Sequence, residues 1–381
     1  MQANQSSVSN PVIKKRLLSI DALRGFDMFW ILGAKQLFAV LFITTGLSFF
    51  DVAAAQMLHS QWHGFTAYDL IFPLFIFLSG VSLGIAAKPF SQLANNKRKQ
   101  LLRHGIKRLL LLLLLGIIYN HGWGGGIPTS ADNIRYVSVL GRIGLSWFVA
   151  ALLVWYVSER MQWLVAILIL VFYWLLLQYV SLGGFGGGDF SANGALNVWF
   201  DQTLLPGVTY RGLAIDPEGL LSNIPSVVNA LFGVFVGRYM IKHLANSRQL
   251  LTRLISSALI LLVMGYSWGV IFPINKTLWT SSFVLVTSGY SILLLSLFYL
   301  IVDVFNFKRL AIFFAVIGTN SIIVYVGSSL VNWQYSANSL FGGLSQAAPA
   351  GWQDLIIIVG MLAIQWVILY AMYCRNIFIK V

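Results

Sequence analysis

The sequence has little charge and a single cysteine. Of its 381 residues only 10% are charged while 58% are hydrophobic, and the mean hydropathy is +0.79. Soluble globular domains do not have this composition, so the sequence predicts an integral membrane protein. The one cysteine, Cys374, excludes an intrachain disulfide and a cysteine-based metal site.

Long apolar runs recur along the whole chain, and each is long enough to cross a bilayer as a helix. Backbone inside a membrane must satisfy its own hydrogen bonds, which favours helices over irregular segments. We therefore predict an all-α, polytopic membrane helix bundle with a cytoplasmic tail at 1–17 and a single transmembrane domain at 18–381. The ten predicted helices span 25–48, 68–87, 103–120, 137–157, 161–180, 224–242, 250–272, 279–302, 309–331 and 354–374.

The basic residues predict the orientation of the bundle. Acidic residues are scarce, 12 against 25 Lys and Arg, and the formal net charge is +13. Twenty of the basic residues fall in the termini and alternate loops and three in the other loops; two lie within predicted helices. Because Lys and Arg in short loops stay cytoplasmic, both termini are expected in the cytoplasm. The positive charge then indicates topology and anionic headgroups, and nucleic-acid binding is not expected.

Polar residues gather at the ends of the predicted helices on the outer side. The densest stretch, residues 59–69, puts His59, His63 and Asp69 directly before an apolar run. Ionisable groups are expensive in a membrane, so several that face one compartment predict a polar cavity with a substrate or a reacting centre. For two members a structural role is an alternative to a functional one. Arg142 could pair with a carboxylate, and Asn320 could form a hydrogen bond between helices. The other members are Asn120, His121, Asp216, Glu218, Asn275, Lys276 and Ser321.

A histidine is the natural chemical candidate in this cavity. Neutral imidazole acts as a base near neutral pH or attacks an acyl group. His59 and His63 are four residues apart, but no third His or Cys ligand lies at the usual spacing, so no metal is expected. His63 beside Trp62 is alternatively an anchor at the membrane interface.

Six motifs in order over nearly the whole chain resemble the heparan-α-glucosaminide N-acetyltransferase family and its bacterial glucosamine acetyltransferases. They are Leu-Ser-Ile-Asp-Ala-Leu-Arg-Gly at 18–25, the 59–69 stretch with Leu-Ile-Phe-Pro-Leu-Phe after it, Val-Leu-Gly-Arg-Ile-Gly at 139–144, Asp-Pro-Glu-Gly at 216–219, Asn-Lys-Thr-Leu-Trp at 275–279 and Gly-Thr-Asn-Ser-Ile-Ile-Val-Tyr-Val-Gly at 318–327.

The resemblance implies transfer of an acetyl group from cytosolic acetyl-CoA to a glucosamine-type amine on the outer side of a bacterial inner membrane, and we also consider a homodimer. It places the catalytic role on His59, as nucleophile or general base. Asp69 is expected either to orient the imidazole or to bind sugar hydroxyl groups. Lys35, where the family has Asn, and Arg24 are the candidates for binding acetyl-CoA. The expected substrate-binding residues are Trp62, His63, Arg142, Asp216, Glu218, Asn275, Lys276, Asn320 and Ser321.

Two other functions are compatible with a polar cavity among membrane helices. An amino-sugar permease, for example for N-acetylglucosamine, would use the cavity for transport, although no duplicated half is visible in the sequence. A structural or assembly partner would need no reactive histidine. An assay that shows acetyl transfer, and its loss in a His59 variant, would distinguish the enzyme from both alternatives.

Overall fold

Helices form most of the described chain. The computed structural model describes residues 17–121 and 130–379, and the predicted tail at 1–17 lies outside these ranges except for Leu17. Within them the chain forms fifteen α-helices and a short antiparallel hairpin of β1 (Ser181–Leu182) and β2 (Phe185–Gly186). The predicted all-α class is confirmed. The helices are α1 (Leu18–Ile31), α2 (Leu37–Thr45), α3 (Ser48–Gln56), α4 (Ile71–Ala86), α5 (Asn95–His121), α6 (Val139–Tyr156), α7 (Glu159–Tyr179), α8 (Leu196–Leu204), α9 (Asn223–His243), α10 (Ser247–Trp268), α11 (Ser281–Tyr299), α12 (Lys308–Gly318), α13 (Ser321–Leu330), α14 (Trp333–Ala347) and α15 (Gln353–Cys374).

The number of membrane spans is close to the predicted ten. Within the described ranges, seven helices are long and apolar enough to cross a membrane, or nine spans if each of two bent helix pairs counts as one. The remaining predicted span, 103–120, lies in α5, where Lys107 and Arg108 directly precede the leucine run at 109–115. The chain is an integral membrane protein.

Two helices predicted as continuous are broken, which corrects the predictions for 25–48 and 309–331. The first bends by 64° between α1 and the segment that starts at Ala34, and the second bends by 57° between α12 and α13. Gly33 at the first break has φ +122°, which side chains disfavour. At the second break, the Asn320 side chain accepts from the backbone of Ile379 at 3.0 Å and donates to Ile377 O at 3.0 Å.

Glycines bring α4 and α9 into direct backbone contact. A Cβ on Gly80 would lie 2.0 Å from Ala230 O, and one on Gly84 would lie 2.2 Å from Val234 O. The contact is reciprocal, since a Cβ on Gly237 would lie 2.3 Å from Val81 O. Small residues four apart allow membrane helices to approach closely and to gain van der Waals contact. The two helices therefore pack backbone against backbone in the core.

Candidate active site

A cavity of about 520 Å³ opens at one end of the bundle, where α1 and α5 end and where α4 and α6 begin. Seven of the residues predicted for the site line it, although they come from distant parts of the chain. Tertiary folding thus brings together much of the polar group that the sequence placed on the outer side. These lining residues are Lys35, His59, Trp62, Asp69, Glu218, Lys276 and Ser321.

Both helix breaks contribute to the wall of the cavity. Lys35 follows the first break and Ser321 follows the second, and both line the cavity. Non-helical backbone at membrane depth is tolerated where it is buried in protein or lines a cavity, and broken helices commonly form binding sites in membrane proteins. The interrupted helices are therefore part of the site.

Asp69 fixes His59. The Asp69 side chain is fully buried in the first turn after Thr66, with which it forms a capping box. Its Oδ2 accepts from Ser60 N at 3.2 Å, from Thr66 N at 3.2 Å and from Thr66 Oγ1 at 3.0 Å. Its Oδ1 lies 2.7 Å from His59 Nδ1. Because a carboxylate only accepts, Nδ1 donates the hydrogen bond and Nε2 keeps its lone pair.

Lys276 completes a three-residue ionic cluster. Its Nζ lies 3.0 Å from His59 Nδ1, 3.3 Å from His59 Nε2 and 3.4 Å from Asp69 Oδ1. Burial lowers the pKa of Lys276 despite the opposing effect of Asp69 and Glu218. The cluster therefore holds a potential base, its orienting carboxylate and a cation within hydrogen-bonding range of one another.

Hydrogen bonds connect the segment that carries His59 to the loop that carries Lys276. Asn275 Nδ2 donates to Trp62 O at 2.9 Å, and Asn275 Oδ1 accepts from Leu278 N at 2.9 Å. His63 Nδ1 lies 3.4 Å from Asn275 Nδ2, and burial lowers the pKa of His63. Neither Asn275 nor His63 lines the cavity. In this structure both connect the 57–66 segment to the loop before α11.

A second ionic cluster on the cavity wall is centred on Arg135. Its guanidinium donates to Asp216 Oδ2 from Nε at 2.8 Å, to Asp216 Oδ1 from Nη2 at 2.5 Å, and also from Nη2 to Glu218 Oε2. Nη1 donates to Asn120 Oδ1 at 3.1 Å. Burial opposes the charge, but Asp216 and Glu218 outweigh it and hold the pKa of Arg135 above its ordinary value. Glu218 lines the cavity, whereas Asp216 is completely buried behind it.

Asp201 in α8 supports the Asp-Pro-Glu-Gly loop from beneath. Its two oxygens accept from Asp216 N and Leu220 N, each at 3.0 Å. A Cβ on Gly219 would lie 2.2 Å from Asp201 Oδ2, so only glycine allows this approach. Burial raises the pKa of Asp201 to about 6, although the two backbone donors lower it.

Arg142 lies behind the cavity. It is 1% exposed, and its guanidinium carbon lies 4.6 Å from the centre of the Trp279 ring. Nη2 donates to Ser222 Oγ and, at 3.5 Å, to Gly219 O. Its Nε and Nη1 have no hydrogen-bond partner among the described residues. Arg142 therefore contacts the start of α9 and is not a lining residue.

The remaining predicted residues, Asn320, Arg24 and Lys35, differ in their distance from the cavity. The Asn320 side chain forms hydrogen bonds with the backbone of the segment after α15, as described above. Arg24 donates to Ser82 Oγ at 3.1 Å, lies 3.7 Å from Asp21 and does not line the cavity. Lys35 does line it, with Nζ 5.2 Å from the centre of the Tyr68 ring.

The chain resembles known acetyltransferases over most of its length. Residues 16–277 match the family model described as "Heparan-alpha-glucosaminide N-acetyltransferase, catalytic". The chain belongs to this family. It is 31% identical to the heparan-alpha-glucosaminide N-acetyltransferase of Mus musculus over 72% of this chain and 49% of that protein. The value for the Homo sapiens protein is also 31%, over 71% of this chain and 48% of the relative. The chain thus spans about half the length of the curated relatives that it matches.

The part that matches the heparan-alpha-glucosaminide N-acetyltransferase family contains both ionic clusters. His59, Asp69, Arg135, Glu218 and Lys276 all fall within residues 16–277. The second helix break, at 319–320, lies beyond the match, although Ser321 lines the same cavity. The cavity thus combines the family's catalytic region with the helices that follow it.

Sequence reasoning missed several residues of the cavity. Arg135 is one of the three basic residues that the sequence places in the outer loops, but it was given no role. An arginine that is rare among outer loops was a usable signal. Tyr68 and the stacked pair Tyr119 and Tyr325, whose ring centres are 4.3 Å apart, also line the cavity. Tyrosines are common at membrane interfaces, so nothing in the sequence distinguished these three.

Proposed function

We propose that this protein transfers an acetyl group from acetyl-CoA to the amine of a glucosamine-type sugar. The observation that carries the proposal is the pairing of His59 with Asp69 in a cavity next to Lys276. Membership of the acetyltransferase family supplies the class of reaction. The cavity supplies the group that performs it.

His59 is the proposed reacting group. With Nδ1 donating to Asp69, the lone pair of Nε2 has two possible roles. As a nucleophile it attacks the acetyl carbon and expels CoA as the thiolate, and the sugar amine then takes the acetyl group from the imidazole. As a general base it removes a proton from the amine while the amine nitrogen attacks the thioester carbon and the CoA thiolate leaves. The buried carboxylate stabilises the imidazolium that forms in the second case. Of the three groups in the cluster, the His59 side chain is the most open, with 53% of its surface exposed.

Lys276 and Glu218 have complementary proposed roles. The Lys276 ammonium stabilises the negative charge that develops on the thioester oxygen as the carbonyl carbon becomes tetrahedral. Glu218 lines the cavity, and it is the carboxylate that accepts hydrogen bonds from the amine or hydroxyl groups of the sugar. Trp62 and Ser321 complete the proposed sugar contacts.

The two substrates are proposed to arrive from opposite sides of the membrane. The distribution of basic residues supports an outer position for the helix ends around the cavity, and the membrane is proposed to be a bacterial inner membrane. Acetyl-CoA would then approach from the basic cytoplasmic side, with Arg24 near its path and Lys35 at the cavity. The pantetheine arm would reach His59 through the bundle, so that only the acetyl group crosses.

A purified-protein assay tests this function. Labelled acetyl-CoA and glucosamine are expected to give labelled N-acetylglucosamine, and His59→Ala is expected to abolish the product. Absence of product together with N-acetylglucosamine uptake into vesicles would favour the permease. Full activity of His59→Ala would overturn the role of the histidine and favour a structural function for this residue.

A further inference from the structure

A second cavity of about 650 Å³ adjoins the first one. It lies between α2, α3, α14 and α15, outside the ionic clusters of the candidate active site. Lys35, Met57 and Leu58 line both cavities, so these three side chains stand at the junction. A molecule in the second cavity is therefore one layer of side chains away from the space beside His59.

The charges of the two cavities differ. Asp51 in the first turn of α3 and Asp354 in the first turn of α15 line the second cavity, and both residues are exposed. Within the described ranges, neither carboxylate forms an ion pair. The catalytic cavity has three cations, Lys35, Arg135 and Lys276, against the carboxylates Asp69 and Glu218. In the second cavity the two carboxylates face a single cation, the shared Lys35.

The polar neighbours of these carboxylates suit a sugar. Gln36 and Gln334 line the second cavity and offer amide donors and acceptors for hydroxyl groups. Apolar side chains such as Val40, Ile357 and Ile358 form the remainder of the wall. A few polar groups on a mainly apolar wall are typical of small-molecule sites.

We propose that the second cavity is an entry site that recruits the amino sugar in its protonated form. This inference rests on the proposed function, because it assigns the approach of the acceptor to a defined surface. A primary amine carries a positive charge at neutral pH, and Asp51 and Asp354 attract that charge. Carboxylates in a cleft with low-dielectric walls raise the local concentration of a cationic ligand.

The charge of Lys35 at the junction distinguishes the protonated sugar amine from the neutral one. An ammonium group that approaches Lys35 is repelled, whereas a neutral amine is not. The neutral amine therefore passes Lys35 more readily than the ammonium does, and the neutral amine is also the form that attacks an acetyl group. The order of charges, two carboxylates followed by a lysine, thus selects a cation at entry and a neutral nucleophile at the reacting centre.

Kinetics with charge-neutralised variants test the proposal. Asp51→Asn and Asp354→Asn are each expected to raise KM for glucosamine by about fivefold at low salt, with kcat and KM for acetyl-CoA unchanged. The effect is expected to shrink in high salt, because ions screen exposed charges. Asp132→Asn is the matched control, since it removes one exposed carboxylate that lines neither cavity. Equal KM values for the control and the two variants would overturn the proposal.

A binding measurement keeps this inference separate from the proposed function. Glucosamine is expected to bind the wild-type protein more tightly than it binds the double variant, whereas uncharged N-acetylglucosamine is expected to bind both equally. Absence of acetyl transfer by the wild type would reject the proposed function alone. Equal glucosamine affinities of the wild type and the double variant would reject the entry site alone.

Discussion

The two ionic clusters of the cavity differ in how completely their hydrogen bonds are satisfied. Arg135 is 12% exposed, and all three of its guanidinium nitrogens donate to Asp216, Glu218 or Asn120. His59 has 53% of its side chain exposed; Asp69 accepts from Nδ1, and Lys276 Nζ lies 3.3 Å from Nε2. One cluster is closed and the other is open, although both line the same space.

The difference separates a structural role from a reactive one. A buried, fully paired guanidinium holds its carboxylates in place, and removal of it leaves them uncompensated. An imidazole held at Nδ1 by a carboxylate has a fixed orientation, and its half-exposed ring leaves Nε2 free to exchange the nearby Lys276 ammonium for a substrate group. The Arg135 cluster is therefore expected to determine stability, and the His59 cluster is expected to determine rate.

The largest expected effect is on the open cluster. His59→Gln should lower kcat for acetyl transfer by about 10³-fold or more, because the glutamine amide neither accepts a proton nor forms an acyl intermediate. His63→Gln, four residues away and outside the lining, should lose less than about tenfold. Equal losses of kcat for the two variants would show that His59 has no special role in the reaction.

Substitution of Arg135 in the closed cluster should lower the stability of the folded protein. Arg135→Gln leaves Asp216 and Glu218 without their cation, which should cost about 3 to 4 kcal/mol of folding free energy. Thermal unfolding in detergent measures this loss. Arg211→Gln, an exposed arginine close to Tyr210, is the control and should change the midpoint little. If both variants unfold at the same temperature, the closed cluster does not stabilise the fold.

Asp69→Asn tests whether the carboxylate fixes the tautomer of His59. The asparagine oxygen can still accept from Ser60 and Thr66, but its amide group then faces Nδ1 of His59. The ring proton moves to Nε2, and kcat should fall by about 10²-fold while the protein stays folded. A near-normal kcat would mean that Asp69 does not orient the imidazole.

Lys276 links the open cluster to pH. Because its pKa is lowered, the ammonium loses its proton at a lower pH than an ordinary lysine, and the rate should fall on the alkaline side accordingly. Lys276→Met should lower kcat by about tenfold. Lys276→Arg should keep a positive charge and lose the alkaline fall, since arginine stays protonated. An unchanged alkaline limb in Lys276→Arg would assign that limb to another group.

The smallest expected effect is at Asp201, beneath the closed cluster. Its pKa is raised to about 6 in the folded protein, from an ordinary value of 3.8. The folded state therefore binds this proton more tightly, so the contribution of Asp201 to stability is full below about pH 4 and is lost as pH rises through about 6. Asp201→Asn should flatten this part of the pH profile of thermal unfolding. A profile identical to that of the wild type would exclude Asp201 as its source.

The sequence predicted the membrane helices more reliably than their continuity. Apolar runs and loop charges contain the information for spans, so the element order follows from them. The breaks at Gly33 and Asn320 interrupt otherwise apolar runs. A few polar residues stand beside them, such as Lys35 and Ser321, but single polar residues also occur within continuous membrane helices. Their position depends on contacts with distant residues, such as Ile377 and Ile379 for Asn320.

The candidate site shows the same limit. The sequence indicated His59 and Asp69 because they lie ten residues apart at one helix end. It also placed Lys276 on the same side, but only folding shows that its ammonium reaches His59. Arg142 was expected at the substrate and lies behind the wall, because a buried polar residue looks the same in sequence whether it lines a cavity or supports it.

The glycine contact between α4 and α9 sets the width of the reaction space. Asp69 immediately precedes α4, and the loop that carries Glu218 immediately precedes α9. Since the two backbones touch at Gly80, Gly84 and Gly237, the starts of the two helices cannot move apart independently. The separation between the proposed base and the carboxylate of Glu218 is thus determined away from the substrate, by the absence of side chains where two helices touch.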